Sequence, residues 1–167
     1  MSGSNLVKKI VLLAFCSSII FVGKFALVHL PNIEVVTFLL IVFTLVFKLK
    51  EALLISTVYT IVELIIWGVS EQLYIWTVIV LITALFRNVF KENFLLWSIL
   101  SGFFGITFGL MCALPIYLLT DKTVTIAYLW ANIPYDVIHM VSNYMIMLLL
   151  GEIVYKKLKQ LLAGYYN

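Results

Sequence analysis

The chain has 167 residues, 64% of them hydrophobic and only 11% charged, with a mean hydropathy of +1.15. A soluble domain is nearer half apolar and a quarter charged, so this composition excludes an ordinary soluble globule and indicates an integral membrane protein. The length suits one domain over 1–167 with no separate soluble module, and the net charge of +3 comes from lysines outside the apolar runs and carries no sign of nucleic-acid binding.

In chain order, a polar tail at 1–5 precedes Lys8 and Lys9. Residues 6–30 form a first apolar span containing Lys24, and Pro31 with Asn32 makes a turn. This span is too long for a cleaved signal segment and lacks a small-residue cleavage site, so it is expected to be retained. A short second span, 33–47, is closed by Lys48, Lys50 and Glu51. The third, 52–68, carries Glu63 inside it, and the fourth, 73–86, is closed by Arg87, Lys91 and Glu92. The fifth covers 94–120, and the sixth, 125–155, contains Pro134. The pattern predicts an all-α, six-helix membrane bundle. Several spans fall short of the ~20 residues a perpendicular crossing needs, so loop residues must help cross or the bilayer must thin. Cys16 and Cys112 lie in apolar runs and read as small buried hydrophobes.

Charge placement sets the expected orientation. Nine basic residues (Lys8, Lys9, Lys48, Lys50, Arg87, Lys91, Lys156, Lys157 and Lys159) fall on one side, and the three loops on the other side hold only Lys122. The positive-inside rule then makes both termini cytoplasmic.

That orientation gathers the polar residues of the spans toward the outer half. Lys24 and Glu63 fall roughly 5–10 Å below their helices' outer ends, and Asp136 and His139 about 12–17 Å below theirs. Asp136, His139 and Asn143, at i, i+3 and i+7, share one helical face. Ionisable groups at membrane depth normally face a bundle interior or a wet cavity, so these residues are candidate ligand contacts, with interhelical packing as the competing role. Pro134, one turn before Asp136, is expected to kink the helix and free a carbonyl. Trp67, Tyr74, Trp76, Tyr117, Tyr128, Trp130 and Tyr135 gather in the same half; Tyr74 and Tyr128 read as an interfacial belt, whereas Trp130 and Tyr135 suit belt or pocket equally. Lys24 either snorkels, pairs with Glu63 or meets the ligand. Asn143 forms either a pocket floor or a helix–helix bond. One lysine, two carboxylates, a histidine and aromatics suit a heteroaromatic ligand with donors. Ser101, Gly105, Gly109 and Ala113, every fourth residue, give the fifth span a smooth face for close approach, and Ala14 with Ser18 makes a small-xxx-small pair on the first.

The run from Leu30 through Pro31, Asn32, Ile33 and Glu34 to Leu40 resembles the loop and second helix of substrate-binding S components of energy-coupling factor (ECF) vitamin transporters. The run from Trp130 to Asn143, with Ile133-Pro134-Tyr135-Asp136 and His139, is similar to the sixth helix of that family, and size and layout match along essentially the whole chain. The resemblance implies a multi-pass protein of a Gram-positive cell membrane that captures a vitamin or precursor. It also implies as partners a transmembrane T component and two cytoplasmic ATPases, which hydrolyse ATP in place of this chain. The family's docking motif falls on Ala14 and Ser18, where serine departs from the usual alanine. The motif-bearing group lies near proposed cobalamin binders; His139 either ligates a corrinoid cobalt or pairs with Asp136.

Neither a cofactor nor a resident metal site is expected, because the chain lacks His-Glu-x-x-His and any Gly-rich phosphate loop. Two rivals remain. One is an accessory membrane subunit without a ligand. The other is an intramembrane serine protease built on Ser101, Gly102 and His139, which lacks the expected Gly-x-Ser-Gly because Ile99 precedes Ser101 by two.

Overall fold

The computed structural model describes residues 3–166, with side chains from 5 to 163. Among the described residues the chain is all-α, with no strand. Its helices are α1 (Gly3–Ala26), α2 (Val36–Val46), α3 (Leu49–Trp67), α4 (Ile75–Phe90), α5 (Phe94–Ile106), α6 (Phe108–Leu119) and α7 (Lys122–Tyr166). The six predicted spans thus fall on seven segments. The expected polar tail is helical from Gly3, with residues 1 and 2 outside the described part.

Three stretches are long and apolar enough to cross a membrane: Asn5–Ala26, Phe94–Leu119 and Lys122–Ala163. The third helix, α3, has the length, but Lys50, Glu51 and Glu63 interrupt its apolar character.

The centre of the bundle is α2. Every residue from Val36 to Leu45 is buried, and the helix touches α1, α3, α4, α5 and α7. A helix that is apolar all round belongs inside protein or lipid. At 11 residues it is about 16 Å long, too short to span the ~30 Å hydrocarbon layer. Neither alternative expected for the short spans, crossing with the help of loop residues or a thinned bilayer, is needed for α2, because other helices surround it.

The fifth span breaks at Thr107, where the backbone leaves helical geometry (φ −96°, ψ 1°). The Thr107 hydroxyl donates to the Phe103 carbonyl at 2.7 Å. In the first turn of α6, the Gly109 N–H donates to Asp136 Oδ1 of α7 at 3.0 Å. A side chain from a neighbouring helix therefore caps α6, doing what an N-cap residue does within one chain segment.

The small-residue stripe explains the most extensive helix pair, α5 with α7. Ser101 donates to the Asn143 carbonyl at 3.2 Å. A Cβ on Gly105 would lie 2.6 Å from the carbonyl carbon and oxygen of His139, and one on Gly109 would run into the Asp136 carboxylate. At these positions only glycine lets the helices approach this closely. The last helix runs 45 residues through Pro134, about 67 Å, well beyond the predicted end at 155.

The basic segments gather at one end. Lys9 pairs with Glu51 at 2.5 Å, Arg87 Nη1 donates to the Phe47 carbonyl at 3.0 Å, and Lys159 pairs with Glu92 at 2.9 Å. At the opposite end the 27–35 loop turns at Asn32, whose φ of 57° suits asparagine, and is tied to α7 by Ser142 Oγ donating to the Asn32 carbonyl at 3.0 Å.

Candidate functional site

Glu34 stands two residues before α2, where four backbone donors lack helical acceptors. Its carboxylate accepts from the Val36 N–H and from the Thr37 N–H at 3.0 Å, and opposes the positive end of the helix dipole. The same carboxylate meets His139 Nε2 from α7 at 3.2 Å. This contact favours the tautomer with hydrogen on Nε2. His139 Nδ1 is buried and has no partner among the described residues. Phe108, the first residue of α6, packs edge-on against the imidazole with centroids 4.8 Å apart.

A second cluster lies beside the first. Lys24, in the last turn of α1, pairs with Glu63 of α3. Glu63, 1% exposed, also accepts from Trp76 Nε1 and from the Tyr59 hydroxyl at 3.3 Å. The Lys24 ammonium sits 5.2 Å from the Trp76 ring centre and 5.3 Å from that of Trp67, within cation–π range. Three donors on one buried carboxylate are what a charge at this depth needs.

Between the clusters opens a cavity of about 280 Å³. Lys24, Glu34, Gln72 and His139 supply its polar walls, Trp76 and Phe108 its aromatic ones, and Pro31 with Asn32 its rim.

Of the seven candidate contacts, Lys24 and His139 line this cavity. Glu63 lies behind the wall and holds Lys24 and Trp76 in place. Asp136 is turned to α6, and with Trp130, Ile133 and Leu110 it borders a separate groove of about 370 Å³. Trp130 is 71% exposed and Tyr135 48%, both on the outer surface of α7. Asn143 is fully buried one turn below His139, its side-chain amide without a partner among the described residues. The expectation that Glu63, Asp136, His139 and Asn143 line one site is therefore corrected. Positions i and i+3 differ by about 60° around a helix, enough to send Asp136 toward α6 and His139 toward α2. The expected pairing of Asp136 with His139 gives way to Gly109 and Glu34 as their respective partners.

Sequence reasoning missed Glu34, Gln72, Trp76 and Phe108 as wall residues. A signal existed for Glu34, an acidic residue just ahead of an unbroken apolar run, where a helix start favours it. Trp76, placed by the sequence only among the aromatics of the outer half, is 2% exposed, and a buried indole N–H needs an acceptor such as Glu63. Gln72 and Phe108 carried no signal.

Ala14 and Ser18 are exposed on the outer face of α1, where the Ser18 hydroxyl folds back onto the Ala14 carbonyl at 2.9 Å. Ser101 spends its hydroxyl on Asn143, and neither nitrogen of His139 is hydrogen-bonded to it, so the nucleophile–base contact of a serine protease is not formed. Among the described residues no three His, Cys, Asp or Glu side chains cluster as metal ligands would.

Fold and site together define a protein that is all-α among the described residues, with three stretches long and apolar enough to cross a membrane and a polar, aromatic-walled cavity at the end opposite its lysine-rich segments. No protein-family model, curated protein or solved structure matches the chain.

Proposed function

We propose that the chain is the substrate-capturing membrane subunit of an ECF-type importer, taking up a vitamin-class small molecule and leaving ATP hydrolysis to partner subunits. The observation that carries this reading is the cavity between Lys24, Glu34 and His139, at the end of the bundle opposite the lysine-rich termini. With the basic end cytoplasmic under the positive-inside rule, the cavity opens outward. This orientation, with the three long apolar stretches crossing the membrane, suits the resemblance in the 30–40 and 130–143 runs. The exposed Ala14 and Ser18 then suit contact with a T component, since both side chains are small and the serine hydroxyl is already satisfied.

The walls favour a flat heteroaromatic ligand, stacked on Trp76 or Phe108, with polar groups reaching Gln72 and the Lys24 ammonium. At about 280 Å³ the cavity lies at the small end of ligand sites, which run from roughly 300 to 1,000 Å³. A corrinoid, with its macrocycle and nucleotide loop, exceeds that space, so a smaller vitamin fits better than cobalamin.

A second reading has its own support. Glu63 and Glu34 are each satisfied by partners within the chain, as they would be in an accessory membrane subunit that binds nothing. Mass spectrometry of the gently purified chain separates the two. A stoichiometric small molecule, displaced in a Trp76→Ala variant that remains folded, supports capture. A folded chain without such a molecule, unresponsive to a vitamin panel, supports the accessory role. ATPase activity in the isolated chain would refute both.

A further inference from the structure

At the basic end, a groove of about 690 Å³ runs between the first half of α1 and the start of α3. Its walls are apolar, built from Leu6, Ile10 and Leu13 on α1 and Leu49 and Leu54 on α3. The α1 residues recur at i, i+4 and i+7, so that wall follows the helix for about 10 Å. Leu13 at the inner end is buried, whereas Leu6, Ile10, Leu49 and Leu54 are all more than 40% exposed. The groove is thus an open apolar channel on the flank of the bundle.

Its mouth is charged. Lys9, Lys48 and Lys50 border it together with a single acid, Glu51. Glu51 is engaged by Lys9 at 2.5 Å and by the Lys48 backbone N–H at 3.0 Å. With three cations and one anion, the mouth carries a net positive charge of two. Lys48 and Lys50 are exposed, on stems long enough to swing over the groove.

An apolar channel lying along a membrane-type helix, with excess positive charge at its end, matches a molecule with a hydrocarbon tail and an anionic head. We propose that this groove binds one anionic glycerophospholipid, its phosphate between Lys48 and Lys50 and an acyl chain along Leu6, Ile10, Leu13 and Leu54. The occupant is a lipid and not a free phosphate because most of the groove wall is hydrocarbon, which a small anion leaves uncovered. It is a lipid and not a protein segment because the exposed apolar wall runs along a helix long and apolar enough to cross a membrane and ends at exposed lysines, the pairing of hydrocarbon and charge that an acyl chain with its anionic headgroup complements. This site is separate from the cavity at the opposite end and does not depend on the importer reading.

The test uses the full chain purified in a neutral detergent, delipidated, and offered dioleoylphosphatidylglycerol or dioleoylphosphatidylcholine at equal concentration, with retention read by native mass spectrometry. The wild type retains the anionic lipid preferentially, and glycerol 3-phosphate does not compete. Each lysine near a headgroup contributes about fivefold, so Lys48→Gln with Lys50→Gln lowers phosphatidylglycerol retention roughly thirtyfold, to the phosphatidylcholine level. Leu54→Trp, which fills the channel without altering charge, also displaces the lipid and serves where the double variant is poorly folded. Equal retention of both lipids by the wild type, or a preference that survives loss of both lysines in folded protein, overturns the proposal. So does full competition by glycerol 3-phosphate, or binding of an acidic amphipathic peptide in place of lipid.

Discussion

Replacing Gly105 by alanine isolates the steric term that holds α5 against α7. A Cβ there would lie 2.5 Å from the Met140 nitrogen and 2.6 Å from the His139 carbonyl carbon and oxygen, all backbone atoms that cannot rotate aside. Ordinary contact begins near 3.4 Å, so the helices must separate by about 0.9 Å. Overpacking of this kind costs about 1–3 kcal/mol, against a helix-propensity gain of up to ~1 kcal/mol for glycine to alanine. Gly102, one turn earlier on α5, is the matched control. Its Cβ would meet Tyr144 Cβ at 3.2 Å and the Met140 carbonyl at 3.4 Å, which a few tenths of an ångström relieve. The propensity gain is common to both variants, so their difference reports the clash. A difference of about 2 kcal/mol corresponds to roughly 4–8 °C in melting temperature for a chain of this size. Thermal unfolding in one detergent, followed by size-exclusion fluorescence, should place Gly105→Ala that far below Gly102→Ala. The same separation would carry His139 away from Glu34, whose 3.2 Å contact has little slack before the hydrogen bond is lost, so ligand retention should fall as well. Equal melting temperatures for the two variants would refute the packing argument.

The Lys24–Glu63 pair should behave as a coupled unit. Glu63→Gln alone should cost about 3 kcal/mol, the low end for a buried pair because Lys24 keeps about a fifth of its side-chain surface exposed, and adding Lys24→Met should recover part of that loss in a double-mutant cycle. Additive losses would show that the two side chains do not support each other. At position 136, asparagine keeps the oxygen that accepts the Gly109 N–H, so Asp136→Asn should leave ligand retention within about twofold, whereas Asp136→Leu orphans that amide and should cost about 1–3 kcal/mol. A tenfold or greater loss of affinity in Asp136→Asn would return Asp136 to the ligand site. The Glu92 carboxyl is held below its ordinary value of 4.5 by hydrogen bonds from Lys159 and Tyr155. The stabilisation from this contact is therefore present above pH 4.5 and lost as pH falls through the lowered value. Carbon-detected NMR of the glutamate carboxyls should find Glu92 titrating nearer the ordinary value in Lys159→Met, and an unchanged titration would dismiss the contact.

The legible part of the fold was the part written in composition and charge. Apolar runs marked most of the helices, and the sorting of lysines anticipated which segments meet at one end. The Ser101–Gly105–Gly109–Ala113 stripe anticipated a close helix contact, because small side chains at every fourth residue have few other uses. Periodicity gives a residue's face on its own helix but not the neighbour that face meets. Asp136 and His139 were therefore grouped correctly on α7 and incorrectly in space. The break at Thr107 was invisible for the same reason, since the acceptor that caps α6 arrives from another helix. The central position of α2 was hidden by its uniform apolarity, which reads alike for a lipid-facing span and a helix enclosed by protein. Glu34 was obscured by being counted inside the second span, 33–47, although α2 begins only at Val36 and its service to that helix start is a local matter that could have been read from its position.

The two acidic clusters hold the cavity walls in place through contacts made within the chain. Glu34 answers two backbone donors and His139, and Glu63 answers Lys24, Trp76 and Tyr59, so neither carboxylate depends on a visiting molecule for its partners. An unsatisfied carboxylate would draw the helices inward or take up a proton, and either change would collapse or neutralise the site. Because the acids are already engaged, they fix the Lys24 ammonium, the Trp76 indole and the His139 imidazole before anything binds, which lowers the ordering cost of recognition. A ligand at this site would then gain from fixed faces and donors while leaving the ion pairs intact. On that account, Tyr59→Phe removes one donor from Glu63 without touching the cavity wall. It should loosen Lys24 and weaken retention by a few-fold while Trp76 remains buried, whereas a ligand that binds by breaking the Lys24–Glu63 pair would be held more tightly in the same variant.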